Sequence, residues 1–141
     1  MSIQVILAPL FVQVLLTFAV GFWLAGLRTR ALTRREVRPQ DIDLGQSNWP
    51  RRSMQVGNSY RNQFELPVLF FVLTILAIMT RHADFLFVVL AWVFVLSRVV
   101  HAFIHVTSNN LRLRGLWFGV GAVVLFIMWV IFIVRILLGL P

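Results

Sequence analysis

The stretch that decides the fold is Phe85 to Arg112, FLFVVLAWVFVLSRVVHAFIHVTSNNLR, an apolar run that ends in regularly spaced polar residues. Residues three, four and seven apart share a face of an α-helix. Arg98, His101, His105 and Arg112 have these spacings, so we predict one polar stripe. At about 1.5 Å per residue the stripe is roughly 21 Å long, most of a bilayer's hydrocarbon thickness. Because ionisable side chains are costly in lipid, the stripe should face a bundle interior or a wet cavity.

The composition places the whole chain in a membrane. Of its 141 residues 60% are hydrophobic and only 13% are charged, whereas soluble domains have about 25% charged residues. A spanning helix needs roughly 20 apolar residues, and lipid leaves backbone groups no partners outside a helix or a closed barrel. We therefore predict a single all-α domain over residues 1–141, an integral membrane four-helix bundle with helices at about 3–28, 55–80, 84–110 and 114–138.

The first apolar block is expected to be a retained helix and not a signal peptide. No basic region precedes it, and a basic segment follows it where a small-residue cleavage site would be required. The long connection after this helix, residues 39–50, has turn-forming residues that include Gly45 and Ser47. The chain has no cysteine, so any thiol chemistry must use a bound thiol.

Arginine is unevenly distributed between the two ends of the predicted bundle. The first loop has seven arginines against three acidic residues, and the turn after the third helix adds two more arginines. The positive-inside rule then places both loops in the cytoplasm and both termini outside. Nucleic acid is not expected as a partner, because the arginines flank membrane helices. Membrane lipids with anionic headgroups, or an anionic ligand near the cytoplasmic leaflet, explain the charge better.

A second polar stripe is predicted on the second helix. Asn58, Asn62 and Glu65 are four and three residues apart and so share a face. Glu65 comes just before a purely apolar run, which places it near the membrane boundary. A structural ion pair of Glu65 with Arg61 or with Arg98 is the simplest alternative to a binding role.

Two interpretations of the third-helix stripe remain open. In a purely structural network each polar side chain needs its own partner in a dry bundle, whereas a pocket filled with water or ligand satisfies them together. We favour the pocket. His101 and His105, four apart, could also hold a metal with Glu65 as a third ligand. Arg98 next to them would repel a cation, so no metal is predicted.

With these features the chain resembles the MAPEG family, the membrane-associated proteins in eicosanoid and glutathione metabolism. The resemblance covers nearly the whole chain and is carried by the segment NQFELP at residues 62–67 and by Arg98 running through to Arg112. This pattern is similar to that of microsomal glutathione transferase and leukotriene C4 synthase, and it resembles a bacterial-type branch more than any eicosanoid synthase. The resemblance implies a homotrimer in a bacterial inner membrane, with glutathione sites between subunits that open to the cytoplasm.

The resemblance also implies roles for individual residues. Glutathione, as co-substrate, would be bound by Asn62, Glu65, Arg98, His101, His105, Arg28 and Arg30. Glu65 would meet the glutamyl amino group, and Arg28 and Arg30 would approach from another subunit. Arg112 would be the catalytic residue, because a free thiol titrates near 8.5 and a neighbouring guanidinium favours the nucleophilic thiolate.

Two functions from different classes follow from this resemblance. The first is a glutathione transferase or peroxidase that acts on hydrophobic electrophiles. The second is a non-catalytic scaffold or accessory subunit that uses the pocket for a lipid headgroup. The chain departs from the eicosanoid enzymes in having His101 and His105 where those enzymes have tyrosines, and Asn58 where they have an arginine.

Overall fold

The computed structural model describes residues 1–44 and 48–141, and in these residues the chain is helical with no strand. The predicted Gly45 and Ser47 of the first loop lie outside the described residues. The helices are α1 (Ile3–Thr33), α2 (Pro39–Ile42), α3 (Arg51–Asn62), α4 (Leu66–Met79), α5 (Phe85–Val106) and α6 (Leu111–Leu138). Four stretches are long and apolar enough to cross a membrane, with α3 and α4 together forming the second. The all-α four-helix membrane bundle is thus confirmed, and the protein is an integral membrane protein.

Because successive spans run in opposite directions, the α1–α3 connection and the α5–α6 turn lie at the same end of the bundle, which we call the basic end. The N-terminus, the α4–α5 turn and the last residues of α6 lie at the other, which we call the terminal end. At the basic end α1 continues to Thr33, five residues beyond the predicted boundary. Nothing in this extension breaks a helix, since the next proline is Pro39.

The second span is broken, although one continuous helix over residues 55–80 was predicted. Proline has no N–H, so Pro67 cannot donate to the carbonyl of Gln63 four residues before it. The helix tightens there, with Gln63 N donating to Tyr60 O at 3.0 Å and Phe64 N to Arg61 O at 3.0 Å. A new helix then starts at Leu66, where proline at the second position is tolerated.

The third span ends at Val106, before the predicted residue 110. The predicted polar stripe from Arg98 to Arg112 therefore does not lie on one helix. The Thr107 hydroxyl donates to a carbonyl of the last turn at 2.6 Å, and Asn109 is left-handed at φ 52°. Asn110 then caps α6, its side chain accepting from the N–H of Arg112 at 3.0 Å. Arg112 therefore lies on α6. Its seven-residue spacing from His105 crosses a helix end, so the single stripe through Arg112 was wrong.

The apolar core lies mainly between α4, α5 and α6. Its fully buried side chains include Phe70, Leu73, Ala91 and Phe94. Gly121 allows α6 to approach α5 closely, because a Cβ there would lie 2.9 Å from Ser97 Oγ on α5 and 3.5 Å from Arg98 Cδ.

Two other glycines of α6 make no such close approach within the described chain. Gly115 and Gly119 are four apart, a spacing that favours close helix packing. Within the described chain a Cβ at either position would meet nothing within 4 Å. Gly121 is the glycine that brings α6 against α5, and no sequence pattern marked it.

An ion pair links α6 to the start of α5 at the terminal end. Arg135 Nη1 of α6 lies 2.8 Å from Asp84 Oδ2, and Asp84 Oδ1 caps α5 by accepting from Phe87 N at 2.9 Å. Burial raises the pKa of Asp84, but its hydrogen bonds to Phe87 N–H and Arg135 lower it more, so the pKa lies below its usual value. His82 Nε2 is 2.9 Å from Leu140 O and donates to it.

Candidate functional site

A cleft of about 390 Å³ opens at the basic end between α3, α5 and α6. Its polar walls come from the face of α3 predicted in the sequence and from the buried face of α5. Apolar residues of α6 and the charged Arg114 complete it. The lining residues are Asn58, Arg61, Asn62, Glu65, His101, His105, Leu111, Arg114, Gly115 and Phe118.

Arg98, Asn62 and Glu65 form a hydrogen-bonded chain behind and along one wall of this cleft. Arg98 is fully buried on α5, and its Nη2 donates to Asn62 Oδ1. The same amide donates from Nδ2 to Glu65 Oε2 at 3.1 Å. Because the two ends of the Asn62 amide meet a donor and an acceptor, its orientation is fixed.

The ion pair considered for Glu65 does not form in this structure. Over residues 1–44 and 48–141 the salt bridges within 4.0 Å are Arg38 with Asp41 and Arg135 with Asp84. Glu65 is exposed at the cleft surface, and its partner is the Asn62 amide. An amide thus separates the buried guanidinium of Arg98 from the nearest carboxylate, so each keeps much of its charge available to a ligand.

Several buried polar atoms around the cleft have no hydrogen-bond partner among the described residues. These atoms are Nε and Nη1 of Arg98, Nδ1 of His101 and Nδ1 of His105. The three residues are only 0%, 2% and 6% exposed, respectively. A buried polar group without a partner costs about 1–3 kcal/mol. The site therefore has spare hydrogen-bonding capacity that a polar ligand can use.

The two histidines form the inner wall. Their rings meet edge to face with centroids 5.6 Å apart, and the His101 ring lies 5.9 Å from that of Phe118. The Arg98 guanidinium also lies over Phe118, at 5.7 Å from the ring centroid. Across the described parts of the chain no group of three or more His, Asp or Glu side chains is arranged to hold a metal. The arrangement suits hydrogen bonding to an anionic ligand.

Arg114 lines the cleft, whereas Arg112 does not. Arg114 is half-buried, and its Nη1 donates to Asn109 Oδ1 at 2.6 Å. Arg112, two residues earlier, is exposed and absent from the cleft lining. The signal that sequence reasoning missed is that Arg114 and Phe118 are four apart and so share a face of α6.

Arg28 and Arg30 lie away from the cleft of their own chain. Arg30 is exposed near the end of α1. Arg28 is half-buried, lies over the Trp49 ring at 4.9 Å, and lines a separate crevice of about 210 Å³ with Tyr60 and Arg61. Their predicted role, contact with a site on another subunit, stays a prediction.

The MAPEG family model matches residues 6–134, nearly the whole chain. No curated protein matches the chain, and no solved structure does. Membership of this family indicates a membrane role related to glutathione or to eicosanoid metabolism. With four membrane helices and a family match along nearly their full length, the chain belongs to the MAPEG family.

Proposed function

We propose that this protein is a glutathione-dependent transferase or peroxidase that acts on hydrophobic electrophiles from within the membrane. The observation that carries the proposal is the hydrogen-bonded series from Arg98 through Asn62 to Glu65. Beside it, buried nitrogens of Arg98, His101 and His105 have no hydrogen-bond partner among the described residues. Buried polar groups of this kind cost stability. Their presence is explained if a ligand uses them.

The charges around the cleft match those of glutathione. Glu65 is the acidic residue of the lining and suits the single ammonium group of the peptide. Arg61 and Arg114 in the lining, with Arg98 behind it, suit the two carboxylates and the thiolate. Guanidinium groups bind carboxylates well because their fork of donors matches the two oxygens.

The chemistry begins with the thiolate. Its sulfur either forms a bond to an electrophilic carbon while a leaving group such as chloride departs with its bonding electrons, or attacks a hydroperoxide. In the second case the O–O bond breaks, the sulfur keeps one oxygen as sulfenic acid, and the departing alkoxide takes a proton to become an alcohol. The resulting sulfenic acid reacts with a second glutathione to give a disulfide and water. The family resemblance assigns thiolate stabilisation to Arg112, and the position of Arg114 in the cleft wall offers a second arginine for the same task.

The proposal includes an assembly and a location. The basic end faces the cytoplasm of a bacterial inner membrane, with both termini in the periplasm, because arginine is concentrated at that end. The subunits form a homotrimer whose glutathione sites lie between neighbours, as the family resemblance implies. Hydrophobic acceptors reach the cleft by partitioning into the surrounding lipid.

The test is glutathione binding by calorimetry and conjugation to a chlorodinitrobenzene, with protein purified in mild detergent. We expect binding and turnover for the wild type, and a loss of turnover in Arg112→Ala or Arg114→Ala. Arg81→Ala is the matched control, since Arg81 is exposed at the opposite end. A wild type that neither binds glutathione nor turns over overturns the proposal. Binding of a glycerol phosphate headgroup in its place would favour the accessory subunit.

A further inference from the structure

The buried face of α1 contains one amide among its apolar residues. The buried positions are Ile6, Pro9, Gln13, Val20, Leu24 and Ala31. Their spacings of three, four and seven are those of a heptad seam, in which one helix packs along another. Gln13 occupies a seam position near the middle of the apolar part of the helix and is fully buried.

Gln13 is bonded to the residue at which the second span breaks. Its Nε2 donates to Gln63 Oε1 at 2.9 Å, and Gln63 Nε2 donates to Ser59 O at 3.1 Å. Gln63 is 1% exposed. Two buried amides thus connect the centre of α1 to the last turn of α3, at a depth where lipid competes poorly for hydrogen bonds.

Gln63 lies in the sequence between Asn62 and Glu65, the two cleft residues nearest the break. Asn62 is the last residue of α3, and Glu65 precedes α4. Pro67 removes the helical bond to the Gln63 carbonyl, so the backbone here is not fixed by a continuous helix. The side chain of Gln63 therefore anchors the break from the α1 side, while Asn62 and Glu65 face the cleft on the other.

The energetics favour a positioning role over a stabilising one. Gln13 Oε1 and Ser59 Oγ have no hydrogen-bond partner among the described residues. A buried polar pair that is only partly satisfied is less stable than a well-packed apolar pair. A single polar residue in an apolar seam is known to specify register at some cost in stability.

We infer that Gln13 is a positioning residue for the cleft, acting through Gln63 to set the place and geometry of the α3–α4 break. In this way it holds Asn62 and Glu65 at the spacing that their shared hydrogen bond requires. The ligand-binding consequence rests on the proposed function, whereas the consequence for the break does not.

The test compares Gln13→Leu, Gln63→Leu and the double variant Q13L/Q63L. Each single variant leaves the other amide without its partner, so we expect a lower melting temperature. The double variant removes both amides, which can be nearly neutral for stability, so its melting temperature should recover. If the pair positions the break, the amides of Phe64 and Glu65 should exchange hydrogen about tenfold faster in the double variant than in the wild type, even though its melting temperature has recovered. Its glutathione Kd should stay weakened by a similar factor.

Two further variants keep the result interpretable. Gln4→Leu changes an exposed glutamine of the same helix and should leave exchange and binding unchanged. Gln13→Asn keeps the amide but shortens it by one methylene, so it should raise exchange at the break even if the leucine variants fold poorly.

The outcomes separate this inference from the proposed function. If the amides of residues 64 and 65 exchange at the wild-type rate in both Q13L/Q63L and Gln13→Asn, the positioning role is overturned. This holds whether or not the variants bind glutathione. A wild type that binds no glutathione overturns the proposed function, and the exchange measurement still decides the role of Gln13. Wild-type Kd in a double variant with faster exchange shows that the break moves without affecting the site, which also counts against the inference.

Discussion

Two arginines on the membrane-spanning helices are held in different ways. Arg135 on α6 lies 2.8 Å from the Asp84 carboxylate, and its side chain is 22% exposed. Arg98 on α5 is completely buried, donates to the Asn62 amide, and has two further nitrogens without partners among the described residues. A guanidinium paired directly with a carboxylate is neutralised and serves the structure. One bonded to an amide keeps its charge for a ligand.

The two ends of the bundle differ in the same sense. At the terminal end α6 is tied to the α4–α5 turn by the pair of Asp84 with Arg135 and by the hydrogen bond of His82 to Leu140 O. At the basic end α3, α5 and α6 separate around a polar cleft. One end fixes the helices, and the other contains the cleft at which we propose ligand binding.

The largest effect is expected for Arg98→Met. Removing a buried charge that contacts a ligand costs about 3 kcal/mol, so glutathione binding should weaken about 100-fold or more. An apolar residue of similar length can preserve or raise stability. Calorimetry and thermal unfolding measure the two effects. Arg135→Met is the matched variant and should lower the melting temperature without changing the Kd, so equal behaviour of the two variants would break the comparison.

Gly121→Val should come next in size. Its Cβ would lie 2.9 Å from Ser97 Oγ and close to Arg98, so the Ser97 hydroxyl must turn away or α6 must shift from α5. Overpacking of this kind costs about 1–3 kcal/mol. We expect a lower unfolding temperature together with weaker binding, because the contact adjoins the site arginine. Gly26→Ala is the control, since nothing lies within 4 Å of its Cβ position. Equal losses in both variants would contradict the close approach.

The comparison within α6 is between Arg114 and Arg112. Arg114 lines the cleft, so Arg114→Ala should reduce glutathione binding about tenfold, corresponding to about 1.4 kcal/mol. Arg112→Ala tests the thiolate stabilisation that the family resemblance assigns to Arg112. We expect it to lower turnover and the ultraviolet absorbance of the bound thiolate. Loss of thiolate absorbance in Arg114→Ala with none in Arg112→Ala would assign thiolate stabilisation to Arg114.

The smallest effect is expected at the terminal end, for Asp84→Asn. Asparagine caps a helix as well as aspartate does, so the variant removes the charge and keeps the cap. The pair is partly exposed and should contribute less than about 1 kcal/mol. Since the pKa of Asp84 is lowered in the folded protein, the pair's stabilisation is present above the unfolded pKa. It disappears as the pH falls through the lower folded pKa.

Thermal unfolding of the wild type and of Asp84→Asn as a function of pH checks this. The difference between their melting temperatures should be constant near neutral pH and should shrink below about pH 4. A difference that grows on acidification would have the wrong sign for an ionised carboxylate in the folded state.

Helical periodicity correctly predicted two polar faces that line the cleft. Arg98, His101 and His105 lie on the buried face of α5, and Asn58, Asn62 and Glu65 share one wall, because helical periodicity is local. The break at Gln63 was missed, since Pro67 allowed either a kinked continuous helix or two helices. Arg112 was misplaced because its spacing from His105 holds only if one helix runs through both.

Composition, periodicity and arginine distribution by themselves determined that this chain is a four-helix membrane protein with a polar site at its arginine-rich end. These properties depend on each residue's own transfer energy and on spacing along one helix, so no packing information is needed. Only the tertiary structure decided that Arg114 enters the cleft, that Gly121 lets α6 approach α5 closely, and that Gln13 reaches Gln63. Contacts between helices depend on their relative rotation and on where each one ends, which spacing within one helix does not fix.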